Sequence, residues 1–241
     1  MNNIYQNFFN KDNVFVINLD KRKDRLKLCT DTLNSINIQF TRFSAIVPDM
    51  NTIKDDSIWN NSYQKMNYDK CRKYKGYLKG SLGCKMSHYN VIKLAKDKQL
   101  PYVVVFEDDI ILSDNSDSIL KDVYSFINDS TKSDSSDSSD SSESSLHKEW
   151  DILYLGGKIT GKNRKPFNKY KEIKSVKSVI QMLGYILNSK SYDLIMNALI
   201  TKGEECDNIV EQMGKNKKIN IYYTNLVKQT WNDSNIITRY I

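Results

Sequence analysis

The sequence has no uninterrupted apolar run of the roughly 18 residues that a membrane-spanning helix needs. Its opening stretch, Met1–Lys11, is polar and rich in asparagine, with neither an apolar core nor a small-residue cleavage site. We therefore expect neither a signal peptide nor a transit peptide. These absences predict a chain without a transmembrane segment that works in a reducing, aqueous compartment, the cytoplasm.

Cysteine and histidine are scarce. The four cysteines (Cys29, Cys71, Cys84 and Cys206) are widely scattered without a C-x-x-C pair, and there are only two histidines. This spacing argues against a structural zinc site and against a disulfide framework, and it favours free, mostly buried thiols. A G-x-S-x-G motif is also missing, which argues against a hydrolase with a serine nucleophile.

The charge is unevenly distributed along the chain. The net charge is +7, but the segment Asp129–Glu149 carries six acids and two lysines, which leaves +11 on the rest. Such a surplus suits nucleotide phosphates, nucleic acid or a membrane surface, and a lysine-rich soluble surface explains it equally well. A nucleic-acid-binding module would interleave aromatic residues with a basic stripe, and no segment shows that pattern, so no nucleic-acid partner is expected. The richness in Asn, Ile and Lys suggests an AT-rich genome, bacterial or from a large DNA virus.

One segment, Ser130–Ser145, contains no apolar side chain. It cannot bury enough surface to offset its ordering entropy, so we predict a disordered loop at about residues 130–145. Apolar patterns resume directly after it at Trp150. The segment therefore resembles an insertion within a single domain over residues 1–241 rather than a linker between two domains.

Elsewhere, short apolar runs typical of buried strands alternate with helical stripes of apolar residues spaced by three and four. Predicted strands are Val14–Leu19, Ile38–Phe43, Tyr102–Phe106 and Asp151–Leu155. Predicted helices contain Leu26–Ile36, Lys85–Lys98 and Tyr192–Leu199. This alternation favours an α/β sheet with parallel pairs.

Two predicted strands end in unusual polar groups. The first ends in Asn18–Asp20, followed by Arg22 and Arg25, and the strand at 102 ends in Glu107–Asp109. In open α/β sheets, ligands bind at the carboxyl ends of strands. Three adjacent carboxylates repel one another and need a positive partner, which suits Mg²⁺ or Mn²⁺, and arginines can grip phosphates. The pattern indicates a nucleotide-dependent transferase. The alternative for the acidic triplet is a solvated turn that caps a following helix.

A phosphate-loop-like stretch, Gly156–Lys162, also follows a predicted strand. It matches the phosphate-loop spacing up to its lysine, but Asn163 occupies the position of the metal-binding Ser or Thr. Pro166 then disfavours the helix whose amino end would hold the phosphates. A P-loop NTPase is therefore not expected.

Several blocks, in order along nearly the whole chain, resemble glycosyltransferase family 25, which includes bacterial lipooligosaccharide galactosyltransferases and procollagen galactosyltransferases. The blocks are Val16–Arg25, Gly80–His88, Val105–Asp109, Trp150–Gly156, Gly184–Leu187, Cys206–Asp207, Leu226–Gln229 and Ser234–Ile236. Asn235 stands where the family has an acid.

The resemblance implies a GT-A-type α/β fold, a single Rossmann-like domain with a mostly parallel central sheet. It also implies a metal-dependent transfer, with Mn²⁺ or Mg²⁺, of galactose or glucose from a UDP-hexose to a hydroxyl of a glycan or protein acceptor, with inversion. The alternative is a catalytically inactive nucleotide-binding or scaffold member, which the change at Asn235 leaves open.

The resemblance and the strand ends together give candidate site residues. Asp109 is the first-choice metal ligand, together with Asp108. The candidates for binding the UDP-sugar are Asn18, Leu19, Arg22, Arg25, Gly83, Ser87, His88, Glu107 and Asp108.

An inverting transfer needs a carboxylate that takes the acceptor proton. Asp207 is the candidate base and Asp151 a weaker one. Each candidate has an ordinary structural alternative. Asp207 could be an acid at a helix amino end, and Asp151 a structural strand residue. Arg25 could be an exposed helix residue, and His88 a packed, hydrogen-bonded histidine.

Overall fold

The computed structural model describes residues 8–69, 77–132, 150–161, 164–167 and 169–230. Its strands are β1 (Val14–Asn18), β2 (Thr41–Ser44), β3 (Tyr102–Glu107), β4 (Ile110–Leu112), β5 (Ile152–Tyr154), β6 (Lys158–Ile159), β7 (Arg164–Phe167), β8 (Tyr170–Val176), β9 (Val179–Ile180), β10 (Gly184–Asn188), β11 (Ile221–Tyr223) and β12 (Val227–Gln229). Its α-helices are α1 (Lys23–Asn34), α2 (Asn60–Asp69), α3 (Tyr77–Asp97), α4 (Ser116–Lys132), α5 (Tyr192–Thr201) and α6 (Cys206–Lys215).

Eight strands form one sheet in the order β2-β1-β3-β10-β5-β11-β8-β7. The β1–β2, β1–β3 and β5–β11 pairs are parallel and the other pairs are antiparallel. Six of the eight strands consequently run in one direction, and β8 and β10 run against them. The predicted α/β class, with a central sheet whose strands run mostly in one direction, is confirmed, and the GT-A type stays a prediction.

Both faces of this sheet are covered by helices. On one face, Val104 packs in a cluster with Leu33 of α1 and Phe126 of α4. On the other face, Val105 packs in a cluster with Val91 of α3 and with residues of α5 and α6. Because successive strand residues face opposite helical layers, each central strand must be apolar throughout, which explains the near-continuous hydrophobic runs in the sequence.

The second strand begins later than predicted, at Thr41 instead of Ile38. The preceding residues close the end of α1, because Asn37 adopts a left-handed conformation with φ of 58°. That turn brings the Ile38 amide to the Leu33 carbonyl at 3.0 Å and buries the Ile38 side chain. The apolar alternation at this point therefore reflects a helix end followed by a short strand.

The predicted insertion overlaps helix α4, which continues to Lys132. The Ser130 hydroxyl donates to the Phe126 carbonyl at 2.7 Å within this helix, so the first three residues of the insertion are helical. Residues 133–149 lie outside the described part of the chain, and the single-domain organisation stays a prediction. Within the described ranges, none of the helices is both long enough and apolar enough to cross a membrane.

The phosphate-loop-like stretch forms a strand pairing. Lys158–Ile159 pairs antiparallel with Val179–Ile180, and the strand β7 follows. Gly157 has φ of 123°, a conformation that side-chain-bearing residues rarely adopt. Among the described residues, the chain after this stretch forms strand β7 from Arg164, where a P-loop would begin its helix, so the structure agrees with the rejection of a P-loop.

Candidate active site

The carboxyl ends of β1 and β3 lie side by side at one edge of the sheet. Their parallel register aligns Ile17 with Glu107, so the residues after each strand meet. The Asn18 side chain is 1% exposed, and its Nδ2 donates to Asp108 Oδ2 at 2.6 Å. The structure thus brings the polar residue at the end of β1 into direct contact with the acidic motif after β3.

Arg25 lies beneath the acidic motif. Only 5% of this residue is exposed, and its NH1 lies 3.3 Å from Asp108 Oδ1 and 3.7 Å from Asp109 Oδ2. The alternative of an exposed helix residue is therefore wrong, and part of the positive charge that the triplet needs comes from within the chain. Burial raises the pKa of Asp108, while the hydrogen bond from Asn18 and the charge of Arg25 oppose that rise.

The acidic motif is buried rather than solvated. Asp108 is 7% exposed and Asp109 is 5% exposed. The chain continues into strand β4 and not into a helix. The solvated, helix-capping turn considered for the triplet is therefore wrong. Two buried, adjacent carboxylates are stable only with positive or hydrogen-bonding partners.

The two carboxylate oxygens of Asp109 differ in their partners. Oδ2 accepts a hydrogen bond from Gln229 Nε2 at 3.0 Å. Oδ1 is buried without a hydrogen-bond partner among the described residues. A buried carboxylate oxygen without a partner is costly, and it is the type of ligand that Mg²⁺ or Mn²⁺ prefers. The donor set at Asp108 and Asp109 therefore fits a hard divalent cation.

Asp207 is connected to Asp109 through two glutamines. Asp207 Oδ2 accepts a hydrogen bond from the Gln181 amide at 3.1 Å. The Gln181 side chain donates to Gln229 Oε1 at 3.2 Å, and Gln229 in turn donates to Asp109. Asp207 also lies in the first turn of α6, as its structural alternative requires. The structure thus links the candidate base to the acidic motif.

Asp151 lies at the opposite edge of the sheet. It directly precedes β5, so it lies at the amino end of that strand. Through β10, this end of β5 is level with the first residue of β3, at the other end of β3 from the acidic motif. Asp151 Oδ2 accepts from the Asn220 amide at 2.7 Å, and Oδ1 accepts from the Ser191 hydroxyl. The structure does not bring Asp151 together with the other candidates, and its contacts are those of the structural alternative.

Glu107 faces a different layer from Asp108. Its Oε1 lies 3.4 Å from His88 Nε2, and His88 Nδ1 lies 3.0 Å from the Tyr185 hydroxyl. Burial raises the pKa of Glu107, and the hydrogen bond from His88 opposes that rise. His88 is 1% exposed with partners at both ring nitrogens, which are the surroundings of a packed histidine.

A model of the family described as glycosyltransferase family 25 (LPS biosynthesis protein) matches residues 11–210 of the chain. The chain belongs to glycosyltransferase family 25. This match covers the strand ends, the acidic motif and Asp207, and it confirms the resemblance seen in the sequence.

Individual relatives are more distant. A Haemophilus influenzae protein named a glycosyltransferase by inference is 34% identical over 108 residues, 44% of this chain and 36% of that protein. Procollagen galactosyltransferase 1-A of Xenopus laevis is 29% identical over 153 residues, 61% of this chain and 21% of that protein. Lipooligosaccharide biosynthesis protein lic2B of Haemophilus influenzae is 28% identical over 108 residues, 44% of this chain and 36% of that protein.

The alignments with these relatives span about a fifth to about a third of their length. A crystal structure of apo UDP-glucose pyrophosphorylase aligns over 90% of this chain and 74% of its own, with 8% identity and a TM-score of 0.35. A likeness that low supports no inference about this family 25 member.

Two candidates on α3 hold this helix of the family 25 chain against the segment after β2. A Cβ atom on Gly83 would lie 2.5 Å from the Ile46 carbonyl oxygen, so only glycine fits without a shift. The Ser87 hydroxyl donates to the Gly83 carbonyl at 2.7 Å and accepts from the Ile46 amide at 2.8 Å. Both residues therefore fix the position of α3, and their contact with a donor stays a prediction.

Leu19 and Arg22 shape the turn between β1 and α1. The Arg22 amide donates to the Leu19 carbonyl at 2.8 Å, and Asn18 Nδ2 donates to the Arg22 carbonyl at 3.0 Å. The Arg22 guanidinium pairs with the exposed Asp24 carboxylate at 2.7 Å. This turn places a partly exposed arginine beside the site of the family 25 member.

Sequence reasoning missed Arg42, whose Nε donates to Asn18 Oδ1 at 2.9 Å and whose guanidinium pairs with Asp20. Arg42 lies in a predicted strand, but only the β1–β2 pairing brings it to Asn18. Gln181 was also missed, because it lies in none of the sequence motifs identified above. Gln229 belongs to the closing family block and was given no role, although it is the residue that joins Asp109 to Gln181.

Proposed function

We propose that this family 25 member is a metal-dependent hexosyltransferase. It moves galactose or glucose from a UDP-sugar to a hydroxyl of a glycan or protein acceptor, with inversion. The observation that carries the proposal is the buried carboxylate pair Asp108–Asp109 at the carboxyl edge of the sheet, where one Asp109 oxygen has no hydrogen-bond partner among the described residues. Two relatives support this choice of substrates by their names, one a procollagen galactosyltransferase and the other a lipooligosaccharide biosynthesis protein.

Asp109 and Asp108 would hold Mn²⁺ or Mg²⁺. When bound, such an ion stabilises the negative charge that develops on a nucleoside diphosphate leaving group. Asn18 and Arg25 hold the Asp108 carboxylate in place, and Gln229 holds that of Asp109. The chain thus keeps both carboxylates oriented before a metal ion or nucleotide binds.

The turn after β1 would hold the nucleotide. Arg22 is partly exposed at the amino end of α1, where a helix favours phosphate groups. Arg25 is already paired with Asp108, so Arg22 is the better candidate for a direct phosphate contact. Asn18 would act through its fixed contacts to Arg22 and Asp108.

Asp207 would take the proton of the acceptor hydroxyl. Its carboxylate accepts hydrogen bonds from the backbone amides of Gln181 and Asn208, which fix the orientation of the group that would act as general base. Its link to Asp109 through Gln229 fixes the base relative to the metal ligands. Inversion requires such a carboxylate because no covalent glycosyl intermediate precedes the acceptor's attack.

The decisive experiment is a donor screen that measures UDP release. UDP-glucose, UDP-galactose and their N-acetyl forms are incubated with the protein and Mn²⁺, with and without candidate glycan and protein acceptors. We expect acceptor-stimulated UDP release from one hexose donor, abolished by EDTA and restored by Mn²⁺. UDP should also raise the melting temperature, and more so with Mn²⁺, because both ligands bind only the folded chain.

An inactive family member would give a different pattern. UDP would still stabilise the fold, but the shift would not depend on Mn²⁺, and no donor would release UDP. That result would contradict the proposed transfer and leave a nucleotide-binding role in its place.

A further inference from the structure

A second cluster of potential metal ligands lies behind the acidic motif. Cys84 and His88 are four residues apart on α3, so they share one face of that helix. Cys206 is the first residue of α6. One ligand atom from each of these three residues lies within 4.8 Å of the others, and the two sulfur atoms are 3.5 Å apart.

These spacings suit a thiophilic ion in tetrahedral coordination. Zinc–sulfur bonds of about 2.3 Å at a tetrahedral angle place two sulfur ligands about 3.8 Å apart. The observed separation of 3.5 Å between Cys84 and Cys206 is close to that value. It is also far longer than the S–S bond of about 2.05 Å in a disulfide, and the three described cysteines are free.

His88 is oriented as a zinc-bound histidine commonly is. The Tyr185 hydroxyl lies 3.0 Å from Nδ1, so this nitrogen has an outer partner. Nε2 is then the nitrogen available as a ligand. His88 and Cys206 are buried and Cys84 is partly buried, so most of the cluster is shielded from solvent that would compete for the ion.

Glu107 is placed to complete the set. Its Oε1 lies 3.4 Å from His88 Nε2 and 4.0 Å from Cys84 Sγ. Carboxylate oxygen is a regular zinc ligand, and four ligands close a structural site. Without an ion, the pKa of Cys84 is raised, first by its hydrogen bond with Cys206 and then by burial, so the thiol holds its proton. A bound cation would displace that proton and stabilise the thiolate.

We propose that Cys84, His88 and Cys206, completed by Glu107, bind one thiophilic divalent ion, Zn²⁺, at a structural site separate from the Asp108–Asp109 pair. The two sites differ in ligand chemistry, because sulfur and imidazole select zinc whereas carboxylates alone select Mg²⁺ or Mn²⁺. The ion fastens α3 and α6 to the end of β3. It holds Glu107 away from the neighbouring carboxylates of the acidic motif.

The test measures metal content and ligand identity on the full chain purified without chelators. We expect about one zinc per chain by elemental mass spectrometry. Replacement by Co²⁺ should give the thiolate-to-cobalt charge-transfer band in the near ultraviolet. Cys84→Ser and Cys206→Ser should each weaken zinc binding at least tenfold. Cys29→Ser, which removes a buried thiol outside the cluster, should retain the ion, and so should Asp109→Asn.

A second measurement covers the case in which the serine variants do not fold. Zinc bound to the wild-type chain should protect Cys84 and Cys206 from alkylation, as mapped by mass spectrometry, and a chelator should lower the melting temperature until Zn²⁺ is restored. Absence of zinc together with a cobalt spectrum that lacks the charge-transfer band would overturn the proposal. So would a Cys84–Cys206 disulfide that, once reduced, leaves a chain unable to bind Zn²⁺. None of these readouts depends on sugar transfer, so failure here leaves the proposed function standing.

Discussion

Asp109 and Asp151 are aspartates at opposite edges of the same sheet, and their carboxylates have different sets of partners. Asp151 accepts hydrogen bonds at both oxygens, from Ser191 and from the Asn220 amide. Asp109 accepts one from Gln229 at Oδ2, and its Oδ1 has none among the described residues. At the amino edge, Asp151 thus joins two chain segments through hydrogen bonds. At the carboxyl edge, Asp109 keeps one buried oxygen without a hydrogen bond, which costs stability.

The comparison extends to the charges around each residue. Asp109 is adjacent to Asp108, and both lie near the buried Arg25. Asp151 has no acidic neighbour in the chain and lies 3.8 Å from the partly exposed Lys190 ammonium. An aspartate at the end of a sheet strand does not by itself mark a site. A buried carboxylate that has an oxygen without a hydrogen-bond partner, and a second carboxylate beside it, is a much stronger indication of a site.

The largest effect is expected from Asp109→Asn. Removing the charged ligand should lower metal-dependent UDP release about 10²- to 10⁴-fold, because the ion's contribution to the leaving group is several kcal/mol and each 1.36 kcal/mol is about tenfold. The melting temperature should stay equal or rise slightly, since repulsion with Asp108 is relieved. Both are measured on one preparation, with the exposed Asp97→Asn as the matched control. Full activity in Asp109→Asn would remove the metal assignment.

Arg25→Met should have the largest effect on stability. It leaves two buried carboxylates without their counter-ion, which costs about 3–5 kcal/mol of unfolding free energy. Added Mn²⁺ should then stabilise the variant more than the wild type, because the ion becomes the remaining cation at the pair. Urea denaturation with and without Mn²⁺ measures this.

The matched control is Arg22→Met. It breaks a pair with the exposed Asp24 and should cost less than about 1 kcal/mol of unfolding free energy. Equal costs for the two variants would contradict the placement of Arg25.

Lys85 is a buried charge whose hydrogen-bond partners among the described residues are neutral. Its ammonium donates to the Ser62 hydroxyl at 2.6 Å and to the Lys202 carbonyl at 2.7 Å, and burial lowers the pKa of Lys85 to about 8. Between pH 8 and about 10.4 the unfolded chain binds this proton and the folded chain does not, so the contribution of Lys85 to stability rises with pH.

The rise should total at most about 3 kcal/mol, and Lys85→Met should remove it. The measurement is the unfolding free energy from pH 7 to 10, with Lys79→Met on the exposed side of α3 as the control. Parallel curves for the wild type and Lys85→Met would show that the ammonium titrates normally.

Asp151→Asn should have the smallest effect and the opposite character to Asp109→Asn. One of its two accepted hydrogen bonds is lost, which costs about 1–2 kcal/mol of stability. UDP release at a temperature well below unfolding should remain at the wild-type rate, whereas Asp207→Asn should abolish it. A loss of turnover in folded Asp151→Asn would reverse the assignment of the two edges.

The sequence was sufficient for the parts of the site that depend on local pattern. The apolar runs located β1 and β3, and the polar residues at their carboxyl ends, Asn18 and Asp108, meet at the edge where α/β sheets generally bind ligands. The burial of Arg25 was not predictable from its helix alone. Arg25 shares the buried face of α1 with Cys29 and Leu33, but a charged arginine is expected at the surface unless an acid pairs with it. Only the fold brings Asp108 to its guanidinium.

The remaining contacts depend on pairings between distant segments. Arg42 reaches Asn18 because β2 lies beside β1, and Gln229 reaches Asp109 because β12 pairs with β4. The Cys84–His88–Cys206 cluster requires α3 and α6 to pack together. Spacing along one chain contains no direct signal for such contacts, which is why the scattered cysteines argued against a zinc site.

The hydrogen bond between Asn18 and Asp108 joins residues 90 positions apart, and that between Gln229 and Asp109 joins residues 120 positions apart. Contacts of such long range slow folding, because a large loop must close before any bond rewards the closure. During synthesis, the early strands and helices leave the ribosome while the glutamine that holds Asp109 is still untranslated. The acidic edge of the nascent chain therefore stays incomplete until the last described strand emerges, so the Asp109 carboxylate is fixed late in synthesis.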